Sequence, residues 1–130
     1  MDEAGSSAED QTGITGTLLD YFEGWFDADP SRIASALHPD LAKRGVRDGE
    51  SGPQLASMTT VEMVRWTREG DGAKERPTDL EIRVDVLDVY RDIATAVVRS
   101  TVYIEYCHLL RTPDGWRVVN TLYMRSNQSS

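Results

Sequence analysis

The chain has 130 residues, 39% of them apolar, and its 22 acidic against 14 basic side chains leave a formal charge of −8. That length suits one domain around one core, and the charge repels phosphate backbones and anionic lipid, so neither nucleic acid nor a membrane is expected as a partner. No run approaches the roughly 18 to 20 apolar residues of a membrane span, and the one cysteine, Cys107, excludes an internal disulfide and any cysteine-based zinc motif.

The segment Met1 to Asp10 is small, polar and acidic where a secretion signal is basic and then apolar, which points to the cytoplasm. Residues 1–11 and 126–130 hold almost nothing that packs and read as disordered tails around a single domain over 12–125. Ile14, Leu18, Tyr21, Phe22 and Trp25 recur on one stripe of an amphipathic helix running to about Phe26. Asp29-Pro30 is a helix start, with Ile33, Ala36 and Leu37 at helical spacing, and this second helix is expected to end near His38-Pro39. Lys43 to Arg47 and Gln54 to Ser57 are expected to pair as a hairpin around Asp48-Gly49-Glu50-Ser51-Gly52. Thr59 with Glu62 forms a capping box for a third helix that stops at Gly70, and Glu69 to Pro77 reads as a loop.

From Leu80 the period changes to two, with Leu80, Ile82, Val84 and Val86 on one face and Glu81, Arg83 and Asp85 on the other. Tyr90-Arg91-Asp92 and Thr112-Pro113-Asp114-Gly115 are turns. As one strand, Ile93 to Arg111 would stretch about 60 Å at roughly 3.3 Å per residue, longer than such a domain is wide, so a reversal is expected near Arg99 to Val102. Three N-terminal helices followed by a twisted antiparallel meander make an α+β fold whose helices cover one face of a curved sheet, with a cavity between them. Trp25, Met63 and Trp66 are candidates to line it, either as the wall of a site for a flat ligand or as ordinary core.

The pieces Tyr21-Phe22-Glu23-Gly24-Trp25-Phe26, Ala36-Leu37-His38-Pro39-Asp40-Leu41-Ala42-Lys43-Arg44, Leu87-Asp88-Val89-Tyr90-Arg91-Asp92-Ile93-Ala94, Tyr106-Cys107-His108-Leu109-Leu110 and Gly115-Trp116-Arg117-Val118-Val119-Asn120 carry a resemblance. Together they resemble the nuclear transport factor 2-like superfamily of cone-shaped α+β proteins, and within it the small bacterial group named putative lumazine-binding, related to SnoaL-like cyclases and ketosteroid isomerase. The resemblance spans about Leu18 to Met124. It implies the fold, and a frame that hosts isomerases, cyclases, dehydratases, hydrolases, ligand carriers and non-catalytic association domains.

Cofactor-free enzymes of this resemblance set a general base in an apolar cone opposite a hydrogen-bond donor for an oxyanion. Carried over from ketosteroid isomerase, the base position falls near Gly45 or Val46, which cannot transfer a proton, and the donor falls on Tyr21, whose alternative role is packing. His38 either faces the pocket mouth as a titrating imidazole or caps the second helix. His108 shares a strand face with Tyr106 and Leu110. Inward, it is the general-base candidate with Tyr103, Tyr106 or Asn120 as donors; outward, it lies at a dimer surface. Asn120, grouped by alternation with Trp116, Val118, Leu122 and Met124, needs a protein or ligand hydrogen-bond partner.

Two histidines with no third nitrogen and no phosphate-binding loop predict neither metal nor nucleotide cofactor. The leading expectation is therefore a pocket protein for a small apolar or aromatic molecule. The alternatives are a cofactor-free isomerase, cyclase or dehydratase using His38 or His108, and a non-catalytic homodimer built on the sheet face that carries Leu87, Val89, Val97 and Val119.

Overall fold

A computed structural model describes residues 7–126, so most of both expected tails, residues 1–6 and 127–130, lies outside the described residues. Helix α1 (Ala8–Phe26) starts earlier than Thr12, capped by the Ser7 hydroxyl, which accepts from the Asp10 amide at 3.0 Å. Asp10 also pairs with Arg111 at 2.8 Å, which ties the first helical turn to the sheet and explains why the helix reaches into the stretch expected to fray. At the other end, the Ser126 amide and hydroxyl donate to Val102 and Thr101 carbonyls. The predicted stripe is buried at Ile14, Leu18, Tyr21 and Phe22, with Trp25 half-buried.

Helix α2 (Pro30–Ala36) has Pro30 in its first turn and Asp29 accepting from the Arg32 amide at 3.1 Å. It ends sooner than His38-Pro39, because Leu37 is already extended and opens strand β1 (Leu37–Gly49). The expected hairpin forms between β1 and β2 (Gly52–Met58), with Arg44 opposite Ser57 and Arg47 opposite Gln54. Both halves of the Thr59 and Glu62 capping box are made, at 3.1 and 2.9 Å, and start α3 (Thr60–Arg68). The segment Glu69 to Pro77 is not all loop. Gly70 turns the chain at a φ of 87°, and a single helical turn, α4 (Asp71–Lys74), follows, giving four helices among the described residues rather than three. One turn is too short for apolar periodicity to register.

Strands β3 (Ile82–Tyr90), β4 (Ile93–Ser100), β5 (Tyr103–Thr112) and β6 (Gly115–Arg125) complete a six-stranded sheet in the order β2-β1-β6-β5-β4-β3. Its pairings are antiparallel except one: β1 runs parallel to β6. Strands at opposite ends of a chain can pair in parallel because the intervening elements serve as the long crossover such pairs require. The reversal between β4 and β5 falls at Ser100 to Tyr103, where the Ser100 hydroxyl accepts from the Val102 and Tyr103 amides at 3.2 and 2.8 Å.

Two bulges decide which side chains face the helices. A bulged residue breaks strict alternation, so every residue beyond it changes sides. In β3 the register shifts between Val86 and Asp88, which leaves Leu87 60% exposed and sends Val89 into the core rather than to the outer face. In β6 a shift between Val118 and Asn120 puts Trp116 and Val118 inside while Asn120, Leu122 and Met124 face out. The core lies between α1 and α2 and the inner face of the sheet, through Ile14, Leu18, Ile33, Ala96, Val98, Cys107, Leu109 and Val118. Among the described residues no helix is long and apolar enough to cross a membrane.

Candidate functional site

A cavity of about 320 Å³ opens between helices α1, α3 and α4 and the inner face of the sheet. Three polar side chains from three elements converge there. Tyr21 comes from the buried stripe of α1, Lys43 from the inward positions of β1 between Leu41 and Gly45, and Glu105 from β5 on the face it shares with Cys107 and Leu109. Lys43 Nζ lies 2.9 Å from Glu105 Oε2, the Tyr21 hydroxyl donates to the same oxygen at 2.5 Å, and Lys43 also donates to the Tyr21 hydroxyl. Tyr21 and Glu105 are each 2% exposed and Lys43 is 5% exposed.

Burying either charge alone is costly, so the two are held as a neutral pair with a phenol between them. Burial first, and then the Glu105 charge, push the Tyr21 phenol well above its ordinary pKa. The same two causes push up the neighbouring Cys107 thiol, which stays protonated. Among the described residues, no three His, Cys, Asp or Glu side chains gather as a metal site.

The rest of the cavity is mainly aromatic and thioether. Phe22 and Trp25 of α1, Met58 of β2, Met63 and Trp66 of α3, and Tyr103 and Tyr123 of the sheet form its walls. Tyr103 and Tyr123 meet edge to face at 5.3 Å, and Lys43 Nζ sits 4.3 Å from the Tyr123 ring centre. The Tyr123 ring lies against Gly45, where a Cβ would come within 2.3 Å of it. One end is held by Glu75, just past α4. Its Oε2 accepts from Trp25 Nε1 at 2.9 Å and from the Tyr103 hydroxyl, while its Oε1 pairs with Arg125 at 2.7 Å. Burial, then the Glu75 hydrogen bond, raise the Tyr103 pKa. Exposed Arg47 and Asp71 bring one charge of each sign to the cavity.

Of the residues singled out in the sequence, Tyr21, Trp25, Met63, Trp66 and Tyr103 line this cavity. His108, Tyr106 and Asn120 do not. All three are exposed on the outer face, where His108 Nδ1 and Asn120 Nδ2 lie 3.0 Å apart. Asn120 thus has a protein partner, and the bulge at Val119 is what separates it from Trp116 and Val118. His38 also lies outside the cavity. It caps no helix carbonyl, and instead its Nδ1 accepts from the Asp40 amide at 3.0 Å. Of Gly45 and Val46, near which the resemblance puts a catalytic base, Gly45 lies against the Tyr123 ring with no side chain to offer, and Val46 does not line the cavity.

Sequence reasoning passed over Lys43 and Glu105. One signal was available: Glu105 stands two residues before the buried Cys107, so alternation places an acid on an apolar face. Such an acid requires a buried partner, and Lys43 is a base on the inward face of β1, two residues before Gly45, which is the position level with Glu105.

Helices laid over one face of a six-stranded sheet around a cavity of this kind make the nuclear transport factor 2-like fold. Within that fold, the chain belongs to the family described as putative lumazine-binding, whose profile matches residues 9–124. Among solved structures it is similar to a nuclear transport factor 2-like protein of unknown function from Silicibacter pomeroyi, with a TM-score of 0.77 at 17% identity over 94% of this chain and 100% of that one. It is also similar to one of unknown function from Methylobacillus flagellatus, with a TM-score of 0.73 at 18% identity over 95% and 98%. A ketosteroid isomerase-like protein from Erwinia carotovora atroseptica matches with a TM-score of 0.66 at 15% identity over 95% and 100%. No curated protein matches the chain.

Proposed function

We propose that the chain is a binding protein for a small, flat, aromatic or heteroaromatic molecule held in the cavity. The observation that carries this reading is the pairing of an aromatic and thioether wall with a buried, charge-balanced polar cluster at Lys43, Glu105 and Tyr21. Large rings give a flat ligand broad contact, and a few convergent polar groups fix its orientation. The volume of about 320 Å³ falls at the low end of ordinary small-molecule sites. The family description names lumazine, a bicyclic heteroaromatic of this character, as a first compound to try. A binding role fits better than catalysis by a histidine base, because both imidazoles stand outside the cavity.

The test is fluorescence titration with lumazine and other flat bicycles. Trp25 and Trp66 in the wall should report binding as saturable quenching, reduced in Trp66→Ala. No saturable change with any of them would contradict the reading.

The outer face of the sheet favours a second role, assembly into a homodimer. Leu122 and Tyr106 stand side by side on it, with Arg44 next to Leu122, and Asp85 lies beyond Val97, which its own neighbours already bury to 1% exposure. Tyr106 and Leu122 are 55% and 44% exposed. A row that is basic at one end, apolar in the middle and acidic at the other is self-complementary about a two-fold axis.

A further inference from the structure

The polar cluster has hydrogen-bonding capacity left over, and that capacity has a direction. Glu105 is 2% exposed, and both of its hydrogen bonds, from Tyr21 and Lys43, go to Oε2. Among the described residues no donor reaches Oε1, on a side chain that lines the cavity. Lys43 Nζ gives two of its three protons to Glu105 and Tyr21, and its remaining contact is with the Tyr123 ring face. An acceptor and a donor thus face the cavity without protein partners for their remaining capacity, on side chains that are otherwise buried.

We infer that the ligand presents an adjacent ring N–H and C=O to this cluster, as a cyclic amide or ureide does. This rests on the pocket reading above and adds the chemical class. In this arrangement the ligand N–H donates to Glu105 Oε1 and the ligand carbonyl accepts from Lys43 Nζ. Ionic ligands fit less well. The Lys43 and Glu105 charges cancel, so an anion drawn to one is repelled by the other, and a cation likewise. A bare hydrocarbon would fill the cavity but leave a desolvated carboxylate oxygen unpaired. The planar ring carrying the amide edge then lies among Trp25, Trp66 and Tyr123.

The test is calorimetric titration of the full chain, in mildly acidic buffer, with three probes of similar shape. Lumazine carries the N–H and C=O edge, 1,3-dimethyllumazine keeps the carbonyls but has no ring N–H on that edge, and quinoxaline keeps the bicycle and has neither. Lumazine is expected to bind at least about tenfold more tightly than either of the others, the ratio that one unpaired buried acceptor commands. Equal binding of lumazine and its dimethyl derivative, or preference for quinoxaline, would overturn the inference while leaving a flat-ligand pocket intact. No heat with any of the three would overturn the inference and count against the pocket reading as well.

Discussion

Removing the ammonium of Lys43 leaves the Glu105 carboxyl buried among aromatic rings without its charge partner. Lys43→Met is therefore expected to lower unfolding free energy by about 3 to 5 kcal/mol, the usual consequence of orphaning a buried ion. Replacing the whole cluster, as Lys43→Met with Glu105→Leu and Tyr21→Phe, should recover most of that loss, because no unpaired polar group then remains. Urea denaturation of the single and triple variants checks this, and additive losses would contradict the coupling. The cluster also sets a pH limit. Tyr21 and Tyr103 have folded-state pKa values raised above the ordinary 10.0, so the folded chain holds both protons more tightly than the unfolded chain. Their contribution is complete below pH 10.0 and is lost as pH rises through the raised values. The urea midpoint should fall on the alkaline side of that value, with tyrosinate absorption from these two residues appearing only as the chain unfolds. Cys107, 1% exposed with its thiol pushed up by burial, should resist thiol reagents until the same transition.

The elements rest on local signals that are strong in the sequence, and the site rests on relations between elements that are weak there. Caps at Asp29 and Thr59 satisfy helix-end amides through side chains a few residues away, so they and the turns of the meander could be found by inspection, whereas the Ser7 cap lies in the stretch expected to fray. Thr59→Ala removes the α3 cap, and thermal unfolding should show a loss of about 1 kcal/mol. The aromatic wall was equally accessible, since Tyr21, Trp25, Met63 and Trp66 sit on helical stripes that have to face inward. The bulges at Leu87 and Val119 were not. Each inverts the side-chain pattern beyond it without any distinctive residue, and the inversion in β6 is what moved Asn120 out of the cavity. Helix α4 was also missed, although its position is tightly constrained: a Cβ on Gly72 would come 2.2 Å from the Trp25 carbonyl oxygen and 2.7 Å from its indole. Gly72→Ala should therefore push α4 away from α1, loosen the Glu75 contacts with Trp25 and Tyr103, and weaken ligand binding more than it lowers the melting temperature. Unchanged affinity in that variant would mean that α4 does not shape the cavity.

For the whole molecule, the proposed binding and assembly roles fall on opposite faces of the sheet. The inner face supplies the polar cluster and half of the cavity wall, and the outer face supplies the apolar row that a second copy would cover. Sedimentation of the full chain is expected to give a dimer, and Leu122→Arg, which sets a charge in the middle of that row, a monomer that still binds ligand. Loss of binding in such a monomer would mean that the faces are coupled. The ion pair joining Lys43 to Glu105 across 62 positions was beyond sequence reasoning because it depends on the parallel placement of β1 beside β6, which no local pattern announces. The central claim is that this cavity takes a small molecule, and native mass spectrometry of the freshly purified chain, compared with its denatured mass and repeated after adding lumazine, tests it most directly. The account predicts an added small-molecule mass that disappears on denaturation. Bare protein in both native spectra would contradict it.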